Sequence, residues 1–201
     1  MCNTFEQQIA WKAYCDYMQA LALRIPTRQT ELDLPQIEVV RISDICSAIV
    51  MLEPGVVELV PMRFSYPPEP GRGPVFNVRS EGRDYSKSNR CLVPASAFFE
   101  FTAPADPKQK RKDKWRFTRA DGEWMGLPAI WKPGQGNQPP GFALPTVEPG
   151  PDVAPIHNRQ IVVLDRKDWR RWLEDPSAPG SALLRPSSAR TFDVASEAAQ
   201  P

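Results

Sequence analysis

The sequence predicts an α+β fold: a single domain of mainly antiparallel, broken strands with a few flanking helices. The length of 201 residues corresponds to one domain. Short apolar runs are separated by proline, glycine and polar turn signals along most of the chain, which is typical of antiparallel strands. The 23 prolines favour interrupted strands and many loops over long regular elements.

Two helices are predicted, one near each end of this domain. Apolar residues recur at three- or four-residue spacing over Phe5–Leu23, which predicts an amphipathic helix. Pro26 follows its predicted end. A second helix is predicted over Arg166–Leu173, with Asp165 as its cap.

Most elements between these helices are predicted to be strands. They are the apolar runs Ile37–Ile42, Ala48–Leu52, Val56–Val60, Cys91–Val93, Ala97–Thr102, Trp115–Thr118, Trp124–Trp131, Gly141–Thr146 and Gln160–Leu164. We expect a break at Pro94 and loops at Tyr66–Pro74 and Pro104–Lys114. After Glu174 the composition changes to proline, serine and alanine. We therefore expect a domain over residues 1–174 and a loose tail over residues 175–201.

The composition excludes several classes of protein. A net charge of +1 argues against a protein coated in positive charge, although a local basic cleft stays compatible with it. The sequence has no apolar run long enough for a transmembrane helix and no signal-peptide pattern, so we expect a cytoplasmic protein without membrane contact. The four cysteines are widely spaced without a CxxC pair, so we expect reduced thiols and no metal site.

Cys2 directly follows Met1, and this position gives it unusual chemistry. Initiator methionine is normally removed before a small residue, so we expect the mature chain to begin with Cys2. Its α-amine and thiol would then lie on adjacent carbons, with unperturbed pKa values of roughly 8 and 8.5. Such an aminothiol condenses with an aldehyde and closes a five-membered ring. The alternative is a frayed terminal residue without a role.

Glu100 and His157 are the candidate acid–base residues. Phe98 and Glu100 share one face of the predicted strand Ala97–Thr102, because strand residues alternate between faces. If that face is buried, desolvation raises the pKa of Glu100 and suits it to proton transfer. His157 is the only histidine, and its unperturbed pKa lies near neutrality. For both residues a structural role is the alternative.

Asn77 and several cationic residues are candidates for binding a substrate. Asn77 can hydrogen-bond a substrate or hold an N-terminus in place. Arg79 and Arg159 suit phosphate, because the guanidinium fork matches phosphate oxygens. The alternative for each is a solvated ion pair or a turn. We interpret the run Lys108–Lys114 as a solvated loop, with a contact to a DNA backbone as the second interpretation.

Four motifs, taken together in order, resemble the SOS response-associated peptidase (SRAP) family. They are the Met-Cys start, Asn77–Glu81, Arg90–Glu100 and Ile156–Arg159. Asn3 departs from the usual glycine, and Gln160-Ile161 departs from the usual Met-Pro. A family segment with two tryptophans around a proline aligns with residues 58–64, which keep the proline and lack both tryptophans.

The resemblance implies a fold with a β-barrel-like core and a set of roles for residues. It implies a catalytic set of Cys2, Asn77, Glu100 and His157. It implies a DNA-binding set of Arg79, Arg90, Arg159 and, in place of a stacking tryptophan, Phe64. Neither a metal nor an organic cofactor is implied.

The function implied by the resemblance is a response to DNA damage. Members of the family crosslink covalently to abasic sites in single-stranded DNA, here through a thiazolidine at Cys2 after removal of Met1. DNA lyase activity and self-processing of the N-terminus are further expected activities. We expect a monomer that associates with the nucleoid during DNA damage. The alternatives are a cysteine peptidase or amidase with an N-terminal nucleophile, and a noncatalytic module that binds single-stranded nucleic acid.

Overall fold

The computed structural model describes residues 2–104, 108, 110–175 and 180–197. Its strands are β1 (Thr4–Gln7), β2 (Ile37–Arg41), β3 (Ile45–Glu53), β4 (Val56–Phe64), β5 (Asn77–Arg79), β6 (Asn89–Ala95), β7 (Ala97–Thr102), β8 (Asp113–Arg119), β9 (Met125–Lys132), β10 (Gly141–Val147), β11 (Gln160–Ile161) and β12 (Phe192–Glu197). Its helices are α1 (Trp11–Ala20), α2 (Arg166–Glu174), α3 (Gly180–Leu183) and a 3-10 turn at Glu31–Asp33. The predicted α+β class is confirmed.

The strands form two sheets. The smaller sheet has the order β12-β8-β7-β1-β2, and all its neighbours are antiparallel. The larger sheet has the order β11-β10-β4-β3-β6-β9, with β5 paired beside β10. β10 pairs with β9 as well as with β4, so the larger sheet curls until these strands meet. The pairings of β10 with β4 and β5 are parallel, and the remaining pairings of the larger sheet are antiparallel.

Two hydrophobic clusters fill the interior. One lies under α1 and α2 and contains Trp169 and Trp172, both almost fully buried. Gly126 makes room for the first of these, because a Cβ there would lie 2.5 Å from the Trp169 ring. The second cluster includes residues of both sheets, with Phe5, Phe98 and Cys2 among its members. This second cluster surrounds the N-terminus.

The predicted N-terminal helix is correct only in its centre. Residues 4–7 form strand β1, which pairs with β2 on one side and β7 on the other. The buried Gln7 side chain fixes the strand, because its Nε2 donates to the carbonyl oxygens of Ser47 at 2.9 Å and Pro94 at 3.0 Å. Gln7 Oε1 accepts from the Ser47 N–H at 2.9 Å. Tertiary pairing therefore overrides a helical apolar spacing over Phe5–Leu23.

The tail is also more ordered than predicted. β12 pairs with β8 along its whole length, and Phe192 packs against Phe98 at 5.3 Å between ring centroids. The Asp152 carboxylate accepts from the backbone N–H groups of residues 190, 191 and 192 at 2.9–3.0 Å. The prediction of a loose tail is therefore wrong for residues 192–197. Residues 176–179 and 198–201 of that tail lie outside the described residues.

The other predicted strands are confirmed with small differences at their ends, except that the predicted strand Gln160–Leu164 is a strand only over Gln160–Ile161. β6 runs through Pro94, and the break falls at Ser96 instead. Helix α2 begins where predicted, but Asp165 forms no side-chain cap, and its carboxylate accepts from Arg185 instead. Residues 105–107 and 109 of the predicted loop Pro104–Lys114 lie outside the described residues. None of the described helices has the length and apolar character needed to cross a membrane.

Candidate functional site

Strand β1 places Cys2 inside the protein. β1 is antiparallel to β7, with Phe5 opposite Phe98, so the chain before β1 runs toward the part of β7 that carries Glu100. Cys2 has 0% exposure, and its Sγ lies 3.3 Å from the Thr4 carbonyl oxygen. The backbone N–H of Cys2 donates a hydrogen bond to the Glu100 carboxylate. The Cys2 nitrogen therefore lies beside a buried carboxyl group.

The Cys2 thiol is held in its protonated form. Burial raises its pKa to about 12, and the negative charge of Glu100 acts in the same direction. Backbone hydrogen bonds with Thr4 and Phe99 oppose the rise but do not outweigh it. Because the thiolate is the reactive form, this thiol needs a base before it can attack.

Glu100 is buried, which is the condition for an acid–base role of this residue. Its exposed fraction is 1%, and both faces of β7 are covered around it, since Phe98 and Phe99 are also buried. Burial raises the pKa of Glu100 to about 7, and the hydrogen bond from Cys2 opposes this rise. Near neutral pH the carboxyl group is present in both protonation states, so it can accept a proton in one step and return it in another.

His157 reaches the same carboxyl group from a different part of the chain. Its Nε2 lies 3.8 Å from Glu100 Oε2. A helical turn precedes it, in which the backbone N–H groups of residues 153 and 154 donate to the Gly150 carbonyl oxygen and those of residues 156 and 157 donate to the Val153 carbonyl oxygen, all at 2.9–3.0 Å. His157 Nδ1 lies 3.0 Å from both the Arg159 nitrogen and the Arg159 carbonyl oxygen, so one neutral tautomer accepts from the N–H and the other donates to the carbonyl. The tautomer that accepts at Nδ1 carries its proton on Nε2, on the side of Glu100.

The surroundings of His157 favour the neutral form of its imidazole. Burial lowers its pKa below 6.5, and the positive charge of Lys112 contributes in the same direction. Lys112 belongs to the lysine-rich segment Lys108–Lys114, so this segment brings positive charge close to His157. The sequence of this run predicts a solvated loop or a DNA contact, and nothing in it indicates that the run would lie near His157.

Asn77 lies on the short strand β5, opposite Leu144 of β10. Its Nδ2 donates to the Phe76 carbonyl oxygen at 3.0 Å. Its Oδ1 is buried and accepts no hydrogen bond from the described residues. No hydrogen bond within the described part of the chain joins Asn77 to Cys2, Glu100 or His157. A buried acceptor without a donor is a group that a bound molecule can satisfy.

Arg159 joins two of the sequence motifs through contacts inside the protein. Its guanidinium group donates to Glu81 Oε1 at 2.6 Å and Oε2 at 2.9 Å, and to the Thr146 carbonyl oxygen at 2.7 Å. These bonds tie the loop that carries His157 to the segment Asn77–Glu81. They also hold the pKa of Glu81 below its usual range. Arg159 therefore holds two parts of the site together. Both terminal nitrogens of its guanidinium group are engaged inside the protein, and its Nε is buried, so none of them is open to a phosphate in solvent.

Two further residues of the expected DNA-binding set are buried. The Arg90 guanidinium carbon lies 4.5 Å from the centroid of the Trp172 ring, and its nitrogens donate to the carbonyl oxygens of Asp175 and Tyr85. Phe64 has 0% exposure and packs between other phenylalanine rings. Neither side chain is in a position to touch DNA, so both expectations need correction. Arg79 is exposed on β5.

The side chains at this site suit acid–base and nucleophilic chemistry. Cys2 contributes a nitrogen and a thiol, Glu100 a carboxyl group with a pKa near neutrality, and His157 an imidazole. These groups lie next to one another. Within the described residues, no group of three or more histidine, cysteine, aspartate or glutamate side chains is arranged to hold a metal ion.

Comparisons with known proteins agree on one family. The family model described as "SOS response associated peptidase (SRAP)" matches residues 1–198. The abasic site processing protein HMCES of Gallus gallus is 27% identical over 128 residues, which cover 53% of this chain and 38% of that protein. The alignment thus spans well under half the length of this curated relative.

Solved structures share the fold. A protein from Bordetella bronchiseptica superposes with a TM-score of 0.74 at 19% identity, covering 97% of this chain and 99% of that one. A phage-related protein from the same organism gives 0.73 at 18% identity, covering 98% and 95% of the two chains. A Bacteroides thetaiotaomicron protein gives 0.68 at 15% identity, covering 96% and 91%. With a family model matched over almost its whole length, this chain belongs to the SOS response associated peptidase (SRAP) family.

Proposed function

We propose that this protein forms a covalent adduct with abasic sites in single-stranded DNA, through the α-amine and thiol of Cys2 after Met1 is removed. The observation that carries the proposal is the hydrogen bond from the Cys2 nitrogen to Glu100, a buried carboxyl group whose pKa is raised to about 7. The name of the Gallus gallus relative, an abasic site processing protein, supports the choice of substrate.

The amine reacts first. An abasic deoxyribose opens to an aldehyde at C1′, and the Cys2 nitrogen adds to that carbon to form a carbinolamine. The carbinolamine hydroxyl leaves as water when Glu100 donates its proton, which gives an imine. A thiol-first route is disfavoured, because burial raises the pKa of the Cys2 thiol to about 12.

The thiol then closes the ring. Glu100, now ionised, accepts the thiol proton, and Sγ of Cys2 adds to the imine carbon while the nitrogen takes up a proton. The product is a thiazolidine, and the net reaction joins one aldehyde to one aminothiol with loss of one water. No oxidant or reductant is consumed. A carboxyl group with a pKa near neutrality suits both steps, since each requires the opposite protonation state.

His157 and Asn77 complete the proposed site. The neutral His157 ring, with its proton on Nε2, donates to the sugar ring oxygen as the ring opens. It lies 3.8 Å from Glu100, so proton exchange between the two needs only a small movement or one bridging water. The unsatisfied Oδ1 of Asn77 accepts from a sugar hydroxyl and orients the opened sugar.

The imine stage also accounts for a DNA lyase activity. An imine at C1′ makes the C2′ proton acidic, and loss of that proton expels the 3′ phosphate and cleaves the strand. Closure of the thiazolidine removes the imine and so competes with cleavage. In this proposal the amine of Cys2 therefore forms the first bond to the abasic sugar, and the thiol prevents strand cleavage by removing the imine.

The family description favours a second candidate function, that of a peptidase. An amidase with an N-terminal nucleophile would use the Cys2 thiol against a carbonyl carbon, with the amine as its base. Self-processing of the Met1–Cys2 bond is the minimal form of this activity. The high pKa of the buried thiol argues against efficient attack as a thiolate. Turnover of a peptide library by the protein would establish this activity in place of the first.

The crosslinking proposal is tested with single-stranded DNA that contains one abasic site. Wild-type protein should give a band that resists heat and denaturant, and mass spectrometry should show the loss of Met1. Cys2→Ala keeps an α-amine but lacks the thiol, so its adduct should appear only after reduction with borohydride. Cys15→Ala, which removes a thiol on α1, serves as the matched control and should behave as wild type. A heat-resistant band of equal yield in Cys2→Ala would refute the thiazolidine.

A further inference from the structure

A basic groove lies beside strand β5, bounded by the loop Tyr66–Pro74 and the ends of β4 and β9. Its volume is about 530 Å³. The groove is lined by Arg63, Arg72, Arg83 and Lys132, and Glu69 is the one acidic residue in its lining. None of these residues was singled out by the sequence motifs.

The charge of this basic groove is unusual for the protein. Four cations and one carboxylate give the lining a net charge of +3, whereas the whole chain carries only +1. Glu69 lies 3.0 Å from Arg72 and 3.7 Å from Lys132, so it partly neutralises those two. Arg63 and Arg83 form no ion pair with any residue that the structure describes. Positive charge is therefore concentrated here and is only partly compensated, by Glu69.

The groove is also built from fixed parts. The Tyr66 N–H donates to the Val75 carbonyl oxygen at 2.8 Å and closes the proline-rich loop. The loop approaches β10 so closely that a Cβ on Gly141 would lie 2.0 Å from the Ser65 carbonyl oxygen. Arg63 Nε donates to the buried Ser65 Oγ at 3.1 Å, which fixes the Arg63 side chain at the edge of the groove.

We infer that this basic groove binds the phosphodiester backbone of the DNA strand away from the abasic nucleotide. Two uncompensated guanidinium groups match phosphate oxygens, and a groove of this volume exceeds what a single phosphate needs. Val78 lines the groove and directly follows Asn77, so strand β5 joins the groove to the candidate site. This inference rests on the proposed function, and it replaces Arg90 and Arg159 as the phosphate contacts.

The test uses the full-length protein and an intact single-stranded oligonucleotide without an abasic site, so that binding is measured apart from adduct formation. Affinity is measured by fluorescence anisotropy over a series of salt concentrations. In the double variant Arg63→Gln/Arg83→Gln, loss of two phosphate contacts should weaken binding about 20-fold at 0.1 M salt and reduce the salt slope by about 1.4. The matched control Lys12→Gln/Lys167→Gln removes two exposed cations from the helices and should bind as wild type.

A third variant should act in the opposite direction. Glu69→Gln removes the carboxylate that pairs with Arg72 and Lys132, so it should tighten binding and steepen the salt slope. The inference is overturned if Arg63→Gln/Arg83→Gln binds as the control does. It is also overturned if inorganic phosphate displaces the oligonucleotide at an equal concentration of phosphate groups, since the groove would then be a site for small anions.

The two proposals fail in different ways. If wild-type protein binds intact DNA through the basic groove but forms no adduct with abasic DNA, the proposed function fails and the groove stands. If adducts form equally in wild type and in Arg63→Gln/Arg83→Gln, with equal affinities for intact DNA, the groove fails and the proposed function stands.

Discussion

Replacing Glu100 by glutamine should make the protein more stable at high pH while it loses activity. Burial raises the pKa of Glu100 from its ordinary value of 4.5 to about 7. A carboxyl group whose pKa is higher in the folded than in the unfolded state destabilises the folded state once the pH exceeds its pKa in the unfolded state. The full cost is reached when the pH also exceeds its pKa in the folded state. At about 1.36 kcal/mol per pH unit this cost is about 3 kcal/mol. Most of this cost develops between pH 5 and pH 8.

Urea unfolding at pH 5 and pH 8 measures this difference. Glutamine is neutral at both values, so the stability of Glu100→Gln relative to wild type should rise by about 2 to 3 kcal/mol between them. The crosslinking rate of the same variant should fall by a factor of about 10² to 10⁴, as expected for loss of a general acid–base group. Equal pH dependence of stability in the two proteins would refute the assigned burial cost.

Glu81→Gln is the matched control, because its carboxylate has the opposite environment. The hydrogen bonds from Arg159 hold the pKa of Glu81 below its usual range. Such a group stabilises the folded state above its unfolded pKa, and that stabilisation is lost as pH falls through the folded pKa. The variant should therefore be less stable than wild type at pH 8, with a smaller difference at acid pH.

Three further predictions concern neighbouring side chains. The His157 ring should titrate below pH 6.5 by NMR, because burial lowers its pKa, and a midpoint above 7 would contradict its neutral state. Arg159→Gln should cost about 1.5 to 3 kcal/mol in urea unfolding, and a double-mutant cycle with Glu81→Gln should be non-additive because the two share one pair of bonds. Arg90→Gln should cost about 2 kcal/mol of stability through lost bonds to buried carbonyls, yet leave the salt slope of DNA binding unchanged. A reduced salt slope in this variant would instead indicate that Arg90 contacts DNA.

The fold class could be predicted because apolar runs and turn signals are local properties. Runs such as Gly141–Thr146 and Trp124–Trp131 became β10 and β9 with nearly the same bounds. Sheet order could not be predicted, since nothing in either run specifies that the two strands pair with each other. The same limit explains β12, whose residues Phe192–Glu197 are stabilised by long-range pairing with β8.

The candidate site was predictable in its chemistry and less so in its contacts. Motif positions singled out Cys2, Glu100 and His157, and the structure brings these three together. The contacts of the arginines could not be predicted, because a sequence shows that a guanidinium group is present but not which groups in the fold accept its hydrogen bonds. Arg159 is engaged by Glu81, whereas Arg83, which no motif marked, lines the basic groove.

The helix predicted over Phe5–Leu23 is wrong at residues 5–7, which belong to strand β1. This is the part of the chain that must hold Cys2 in place for the proposed chemistry. A 1,2-aminothiol must be the first residue of the mature chain, and first residues are normally mobile. Here β1 is held between β2 and β7, and the Gln7 side chain makes three hydrogen bonds to buried backbone groups of two other strands. A helix would have left Cys2 in a fraying end, without the pairing that orients its nitrogen toward Glu100. The departure from local preference thus provides the rigid terminus that the chemistry requires.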